Sequence, residues 1–305
     1  MMRVFLTGAT GYIGSAVLDA LVRAGHHVTC LVRNPEKAAL AGQFGGYPVV
    51  GNLAEPGSYE NAAAGQDGYI HAAEEALPRR CAVDRIAIET LMAAARRSAS
   101  TVAATDRFLV YTSGIWVLGS TRQPAAEDAP VNPAEIVAWR PAHEQLVLAA
   151  AGSGFRTCVV RPGIVCGDAR GIIGDLIRDA SNGLVRIVGN GENHWPVVYD
   201  RDLADLHVRL SSRSDASGIY HATDESDERV NEIVEAIAAQ VKTYPQIRRI
   251  PLEEARAKMG ARAAALALDQ IVRGPRARTL GWSPTLRSVA GSAAALLEEW
   301  RSGQA

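Results

Sequence analysis

The sequence lacks the features that would place it among membrane or nucleic-acid-binding proteins. Its 305 residues contain no run of about 18 apolar residues, the length that a membrane-spanning helix requires. Its 32 basic and 33 acidic side chains nearly cancel, and neither sign forms a long block. Such a chain has no electrostatic footprint for nucleic acid or an anionic membrane surface. We therefore expect a small-molecule substrate as partner, with no nucleic acid and no membrane.

Cysteine is scarce and scattered. The residues Cys30, Cys81, Cys158 and Cys166 form no CxxC or His-linked spacing that would hold zinc. We therefore expect neither a metal site nor a disulfide framework. The opening segment "MMRVFLTGATGY" reaches glycine before an apolar stretch of signal-peptide length can develop. The expected location is cytoplasmic.

Short β-rich segments alternate with longer segments rich in alanine and leucine through the first half of the chain. This alternation is typical of repeated βαβ units around a parallel sheet. The candidate strands are almost continuously apolar, as expected when helices cover both faces of a sheet. The pattern predicts an α/β fold, a Rossmann-type doubly wound parallel sheet with a smaller C-terminal substrate-covering region. The predicted strands are 3–7, 27–32, 47–50, 68–72, 107–112 and 156–160, and the predicted helices are 12–24, 58–64, 80–98 and about 138–152.

The regular alternation ends after Pro162, where glycine-rich turns surround a short helical segment. This change predicts a nucleotide-binding domain over residues 1–165, to which residues 196–223 return. Residues 166–195 and 224–305 would then form the substrate-covering region.

A glycine-rich turn lies between the first predicted strand and the first predicted helix. In "FLTGATGYIG", Gly8, Gly11 and Gly14 permit a tight turn and a close approach of the backbone to a pyrophosphate. The preceding strand, the following helix and a second strand ending near residue 32 together favour a dinucleotide site over a plain glycine turn. The candidate cofactor contacts in this turn are Gly8, Thr10, Gly11, Tyr12, Ile13 and Gly14.

The end of the second predicted strand favours NADP over NAD as the cofactor. NAD-selective sites usually place an acidic residue there, against the ribose hydroxyls. This chain instead has Val32 and Arg33 in "CLVRNPEK". The Arg33 guanidinium can meet a 2′-phosphate with a bidentate, charge-assisted bond, and a solvated loop arginine is the alternative interpretation.

Further motifs follow along nearly the whole chain in a fixed order. They are "TGATGYIG", "VVGNLAEPGSYENAAAGQDGYIHAAEE", "RFLVYTSGIWVLG", "VVRPGIVCGD", "HWPVVYDRDLAD" and "TLGWSP". With these motifs the sequence resembles the extended short-chain dehydrogenase/reductase family, which contains sugar-nucleotide epimerases, dehydratases and related reductases. The resemblance implies that Asn52, at a position usually held by aspartate, and Leu53 lie against the adenine. It also implies that Ala72 and Ala73 line the path to the nicotinamide, beside a backbone wall formed by Pro162, Gly163 and Ile164.

The sequence departs from this family at its catalytic residues. The family uses a serine or threonine after the fifth strand, a tyrosine as acid or base, and a lysine four residues later that binds the nicotinamide ribose. Counting back five positions from Gly119 reaches Gly114 instead of the hydroxyl residue. Trp139 then takes the tyrosine position and His143 the lysine position. All three catalytic residue types are therefore replaced.

Four residues are candidates for a changed active site. An imidazole titrates near neutrality, so His143 could donate a proton or bind the ribose hydroxyls. It is therefore a candidate both as a catalytic and as a cofactor-binding residue. The alternative is a histidine that has its own hydrogen-bond partners and no function. Trp139 does not titrate, so we interpret it as a pocket wall or as core packing. Ser113 is the candidate orienting hydroxyl, and Tyr111 is either a further hydroxyl or a buried strand residue with a local partner. Arg140 and Glu144 are expected to be solvated or ion-paired.

The region after residue 165 should cover the substrate, because ligands of such sheets bind beyond the carboxyl ends of the strands. The candidate substrate contacts are Asp168, Asn193, His194, Trp195 and Tyr199. Since no basic cluster of the kind that holds a nucleotide-sugar diphosphate is present, we expect a small and fairly apolar substrate.

Three functions are compatible with these observations. The leading one is an NADP-dependent oxidoreductase that moves a hydride between nicotinamide and a small carbonyl or alcohol, with a non-standard proton donor. A non-redox isomerase, lyase or cyclase on the same scaffold and a catalytically silent NADP sensor stay open. A homodimer through helices 80–98 and 138–152 is a further possibility that the resemblance implies.

Overall fold

The computed structural model describes residues 1–76, 78–98, 107–121, 123–152 and 154–303. The chain divides into two compact units, each built from three segments. The first unit comprises Met1–Ser113, Trp139–Val160 and Leu203–Tyr220, and the second comprises Gly114–Ala138, Arg161–Asp202 and His221–Ala305. Residues 114–138 were expected in the nucleotide-binding domain but lie in the second unit. The predicted domain boundaries stay a prediction.

A seven-stranded sheet is the main feature of the fold. Its order is β3-β2-β1-β4-β5-β6-β10, and the neighbouring pairs from β3 to β6 are parallel. The strands of the sheet are β1 (Arg3–Thr7), β2 (His27–Val32), β3 (Tyr47–Val50), β4 (Gly68–His71), β5 (Arg107–Thr112), β6 (Phe155–Pro162) and β10 (Gly218–Ala222). The predicted doubly wound α/β fold is confirmed.

Helices connect the strands of the first unit. They are α1 (Tyr12–Arg23), α2 (Pro35–Gln43), the short α3 (Glu60–Ala63), α4 (Arg80–Ser98), α5 (Arg140–Leu148) and α7 (Asp200–Ser212). Every residue of β5 is buried, and the other central strands are almost entirely buried, as continuous apolar strands are when both faces of a sheet are covered.

The strand order reverses direction between β1 and β4, since β2 and β3 lie on one side of this pair and β5 and β6 on the other. In open parallel sheets, ligands bind in the crevice beyond the carboxyl ends of the strands at such a reversal. The glycine-rich turn follows β1, and Ala72 and Ala73 follow β4. The fold therefore brings the predicted cofactor residues of the first unit to the location where dinucleotides bind.

The second unit has smaller sheets around its own apolar core. The strands β7 (Ile164–Cys166) and β9 (Val197–Tyr199) pair in parallel, as do β8 (Leu184–Val188) and β11 (Gln246–Ile250). Its helices are α6 (Gly171–Ser181), α8 (Val230–Gln240), α9 (Leu252–Met259), α10 (Ala261–Leu266), α11 (Pro275–Thr279) and α12 (Ala293–Ser302). One core cluster joins buried side chains of α6, α8 and α12.

Within the described part of the chain, no helix has both the length and the apolarity needed to cross a membrane. No group of three or more histidine, cysteine or acidic side chains among the described residues could hold a metal ion.

Candidate active site

The glycine-rich turn has a geometry that only glycine allows. Gly8 has a φ of +79°, and a Cβ there would lie 2.6 Å from the Ala72 carbonyl oxygen. A Cβ on Gly14 would overlap the carbonyl oxygen of Gly8. Gly11 donates its N–H to that same oxygen at 2.8 Å and directly precedes α1. The turn is thus a glycine-dependent cradle at the start of a helix, which fits a pyrophosphate.

The other predicted contacts in this turn are accessible. Thr10, Tyr12 and Ile13 are half-buried, and the first turn of α1 contains no acidic residue that would repel an anion.

The residues predicted to contact the adenosine differ in whether their side chains already contact other parts of the protein. Arg33 follows β2, is exposed, and makes no hydrogen bond or ion pair with any described residue. Asn52 donates from Nδ2 to Glu55 Oε1 at 2.7 Å and accepts the Ala54 N–H at Oδ1, so its side chain shapes its own loop. Leu53 packs against the core of the first unit.

The predicted nicotinamide-side residues occur in both units. Ala72 and Ala73 are half-buried after β4, in the first unit. Pro162 ends β6, and Gly163 and Ile164 donate their N–H groups to the carbonyl oxygens of Ala222 and Pro196 inside the second unit. A Cβ on Gly163 would lie 2.5 Å from the Pro196 carbonyl oxygen, so this wall also depends on glycine.

His143 is paired with an acidic residue that the sequence analysis did not select. Its Nδ1 lies 2.6 Å from Oδ2 of Asp84 on α4, and both side chains are buried. Tyr111 donates its hydroxyl to the same Oδ2 at 3.0 Å. On the other side of the carboxyl, Nε2 of His71 lies 3.3 Å from Oδ1, while Nδ1 of His71 lies 2.6 Å from the Thr7 hydroxyl. Asp84 is therefore the centre of a buried polar cluster in the first unit.

The surroundings of Asp84 keep it ionised. Burial alone would raise the pKa of its carboxyl, but the hydrogen bond from His143, the contact with His71 and the charge of Arg140 together hold the pKa well below its usual value. A carboxylate can only accept hydrogen bonds. The proton on Nδ1 of His143 therefore points to Asp84, and Nε2 lies on the opposite side of the ring.

Arg140 supplies a permanent positive charge beside this cluster. Its guanidinium is buried, donates to the Tyr111 hydroxyl at 3.3 Å and to the Thr112 carbonyl at 3.2 Å, and forms an ion pair with Glu74 at 3.4 Å. Burial and the negative charge of Asp84 raise the pKa of Tyr111 far above its usual value, so its hydroxyl stays protonated. Arg140 was expected to be either solvated or ion-paired, and it is ion-paired.

Trp139 is half-buried and borders the histidine. Its ring meets that of His143 edge to face, with centroids 4.9 Å apart, and the Arg140 guanidinium lies 4.6 Å from the indole centroid. The tryptophan precedes α5, which starts at Arg140. This position suits a pocket wall. The indole is only a hydrogen-bond donor, so Trp139 has no proton to exchange.

Ser113 makes a hydrogen bond that was not expected. Its hydroxyl donates to Oε1 of Glu144, and both side chains are buried. Glu144 is 1% exposed, which excludes the solvated alternative of the two expected for it: α5 turns it towards the end of β5. The neighbouring Thr112 hydroxyl contacts Nε2 of His207 at 3.1 Å, and burial lowers the pKa of that histidine to about 4.

The predicted substrate contacts form two groups inside the second unit. Asn193 and Trp195 donate to the Leu266 carbonyl, and His194 Nδ1 lies 2.7 Å from Asp269 Oδ1. Tyr199 donates to Glu299, which also accepts the N–H of the exposed Asp168. Trp195 alone among the five lines the cavity described next.

A cavity of about 300 Å³ lies among α6, β8, β11, α9 and α10. Its wall is largely apolar, with Ile172, Leu176, Ile187, Ile250 and Met259 among the lining side chains. Charged residues, mostly basic, line the same cavity: Arg178, Arg186, Arg248, Lys258, Arg262, Asp175 and Asp179.

Sequence reasoning missed Asp84, His71 and Glu144. No local pattern identifies Asp84, because its partner His143 is 59 positions away in the chain. The available signal is an acidic residue on an otherwise apolar face of α4, between the buried Val83 and Ala87.

The glycine cradle at the β1–β4 reversal and the buried polar cluster around Asp84, both in the first unit, fit an enzyme that uses a dinucleotide. A family model described as the NAD dependent epimerase/dehydratase family matches residues 4–222. The chain belongs to this family, as the resemblance to extended short-chain dehydrogenases/reductases predicted, and is an NAD(P)-dependent oxidoreductase or epimerase-like enzyme.

Individual relatives agree with this assignment. The chain is 32% identical over 292 residues to an uncharacterized protein of Schizosaccharomyces pombe, covering 93% of this chain and 95% of that protein. It is 30% identical over 269 residues to the 4-hydroxy-2-methyl-3-oxo-4-farnesyl-3,4-dihydroquinoline-1-oxide ketoreductase of Stigmatella aurantiaca, covering 84% and 78% of the two chains. The human epimerase family protein SDR39U1, solved with NADPH, has the same fold, with a TM-score of 0.79 at 20% identity over 97% of this chain and 99% of that chain.

Proposed function

We propose that the protein is an NADP-dependent oxidoreductase acting on a small, apolar carbonyl compound or alcohol, with His143 exchanging the proton that tyrosine exchanges elsewhere in the family. The observation that supports this most directly is the 2.6 Å contact between His143 Nδ1 and Asp84. A buried carboxylate behind an imidazole fixes its tautomer and stabilises its protonated form, as in hydrolytic triads.

The proton steps follow from this pairing. During reduction, protonated His143 donates from Nε2 to the substrate oxygen, while Asp84 keeps the proton on Nδ1. During oxidation, neutral His143 accepts the alcohol proton at Nε2, and Asp84 stabilises the resulting charge. The Ser113 hydroxyl donates its proton to Glu144, so its oxygen can accept a hydrogen bond from the O–H of an alcohol substrate but offers no proton to a ketone oxygen.

The cofactor would bind along the glycine cradle, with its pyrophosphate at the start of α1. When bound, it supplies the hydride for the carbonyl carbon or accepts the hydride from the alcohol carbon. Arg33 would select NADP over NAD because its exposed guanidinium has no described protein partner and follows β2, where the family reads the ribose.

Two observations favour an apolar substrate. The cavity of the second unit has apolar lining side chains that include Trp195 and Leu176, beside five basic and two acidic ones. The relative from Stigmatella aurantiaca is named as the ketoreductase of a farnesylated quinoline ketone.

The test begins with nucleotide binding and then asks for turnover. Purified protein is stripped of nucleotide and titrated with NADPH and NADH by fluorescence, and the loaded enzyme is offered a panel of apolar ketones. We expect tighter binding of NADPH and loss of nicotinamide absorbance with at least one ketone. Tight NADPH binding without turnover of any ketone or alcohol would instead favour the NADP-sensing alternative, and binding of neither nucleotide would rule the oxidoreductase out.

The His143–Asp84 pair also suits a non-redox isomerase, because the same imidazole can remove a proton next to a carbonyl and return it elsewhere. The two functions are separated by following product and nicotinamide absorbance together. Product formation at constant absorbance would favour the isomerase.

A further inference from the structure

Cys81 is the accessible thiol of this protein. All four cysteines are free, and Cys81 alone is exposed. Cys30, Cys158 and Cys166 are completely buried. Burial raises the pKa of Cys30 to about 12 and that of Cys166 well above its usual value. A reagent arriving from solvent therefore meets one reactive candidate in the folded protein.

The Cys81 thiol lies against Nε2 of His143. Its Sγ is 3.8 Å from Nε2, while Nδ1 on the other side of the ring is held by Asp84. Since Asp84 fixes the proton on Nδ1, the lone pair of neutral Nε2 can accept the thiol proton. The products are a thiolate and an imidazolium, and the Asp84 carboxylate stabilises the latter. Thiol, imidazole and carboxylate thus form a chain of the kind that activates cysteine nucleophiles.

The position of Cys81 in α4 also favours the thiolate. It is the second residue of this 19-residue helix, where free backbone N–H groups and the helix dipole stabilise a thiolate. The nearby charges are largely paired with each other, with Glu74 shared between Arg80 and Arg140. These pairs are Arg80 with Glu74, Arg79 with Glu75, Arg85 with Glu89 and Arg140 with Glu74.

We propose that Cys81 is an activated thiol and a modification site for low-molecular-weight disulfides. In this reaction the Cys81 thiolate attacks one sulfur of the disulfide, a new S–S bond forms to the protein, and the original S–S bond breaks. The second half of the reagent leaves as a thiolate and takes up a proton. Cys81 is oxidised to a mixed disulfide while the leaving half is reduced, so electrons balance without another reactant.

The adduct would lie beside Nε2 of His143 and block its proton exchange. This consequence rests on the proposed function, whereas the reactivity of Cys81 does not. An excess of free thiol would reverse the modification, since exchange proceeds in both directions.

The experiment measures the reaction of the native protein with 5,5′-dithiobis(2-nitrobenzoate), without cofactor or substrate. The release of coloured thiolate is followed between pH 5.5 and 9, with glutathione as the reference thiol. We expect one thiol per chain to react, and the reaction to stay fast near pH 6, where an ordinary thiol is almost wholly protonated. Cys81→Ser should abolish the reaction in the folded protein.

A variant series assigns the activation. His143→Asn should slow the reaction near pH 6 about tenfold, the effect of moving thiolate formation by about one pH unit. Glu89→Gln, on the exposed side of the same helix, should leave the rate unchanged. If the wild-type rate follows pH as glutathione does, the proposal fails whether or not the variants fold. If wild type reacts fast near pH 6 and folded His143→Asn reacts equally fast there, the role of the imidazole is overturned. Neither result bears on hydride transfer, which is measured separately.

Discussion

Asp84 on α4 and His143 on α5 are 59 positions apart in the chain, and their side chains meet at 2.6 Å in the interior of the first unit. The contact places a carboxylate behind the residue that occupies the family's lysine position. A lysine there contributes a fixed charge, whereas an imidazole backed by a carboxylate contributes a titrating group with a defined tautomer.

Replacing either member of this pair should reduce turnover more than cofactor binding. For His143→Asn we expect kcat to fall by about 10²- to 10⁴-fold, the range of general acid–base contributions, with less than about a threefold change in the Kd for NADPH. Asp84→Asn should also lower kcat by about 10²-fold or more, because an amide can reverse the tautomer of the imidazole. Single-turnover absorbance and nucleotide fluorescence measure the two quantities. Glu89→Gln on α4 serves as the control, and a rate unchanged in His143→Asn would remove this residue from the mechanism.

Arg33 should determine which dinucleotide binds more tightly. Arg33→Ser removes the guanidinium proposed to bind the 2′-phosphate, so the Kd for NADPH should rise about tenfold or more while the Kd for NADH changes little. Fluorescence titrations of both nucleotides measure this ratio. Arg23→Ser, an exposed arginine paired with Asp19, is the matched control. Equal weakening for both nucleotides would argue against a contact with the 2′-phosphate.

The glycine cradle should not tolerate even a methyl group. In Gly14→Ala the new Cβ would overlap the Gly8 carbonyl oxygen, so we expect loss of measurable NADPH binding and a lower Tm. Gly42→Ala on α2 meets no atom within 4 Å and should raise the Tm slightly, because alanine is the better helix former. Tight NADPH binding by Gly14→Ala would show that the nucleotide does not use this turn.

Asp224 should make the protein less stable as the pH rises. Burial raises the pKa of this carboxyl from 3.8 to about 7 in the folded state, so the folded protein holds a proton that the unfolded chain has already released. The stabilisation is fully present below about pH 4 and is lost as the pH rises to about 7. At pH 8 the free energy of unfolding of Asp224→Asn should therefore exceed that of wild type by roughly 1–3 kcal/mol. Near pH 4 the two proteins should be equally stable.

The Asp224 prediction is checked by urea unfolding at several pH values. Glu253→Gln, an exposed acidic residue of α9, is the control and should show no such dependence. A constant difference between Asp224→Asn and wild type at all pH values would mean that the carboxyl does not titrate in this range.

The central sheet could be predicted from the sequence because its strands are short apolar runs between glycine-rich or polar turns. The helix α2 was not predicted, since only Ala41 is buried and the segment has little apolar periodicity. Family spacing led to His143 and Ser113 as candidates. It did not indicate their partners Asp84 and Glu144, because these contacts depend on how separate segments pack. Tertiary pairing of polar groups leaves almost no trace in local sequence.

The first unit is assembled from three separated stretches, the last of which is Leu203–Tyr220. During synthesis on the ribosome, the nucleotide-binding half cannot be completed until this late stretch has emerged, although most of its sheet is made much earlier. A truncated gene ending near residue 165 would therefore encode a sheet without α7 and β10, with the side of β6 that β10 covers left unpaired. Such an edge invites association with other chains. Expression of residues 1–165 alone should for this reason yield aggregates.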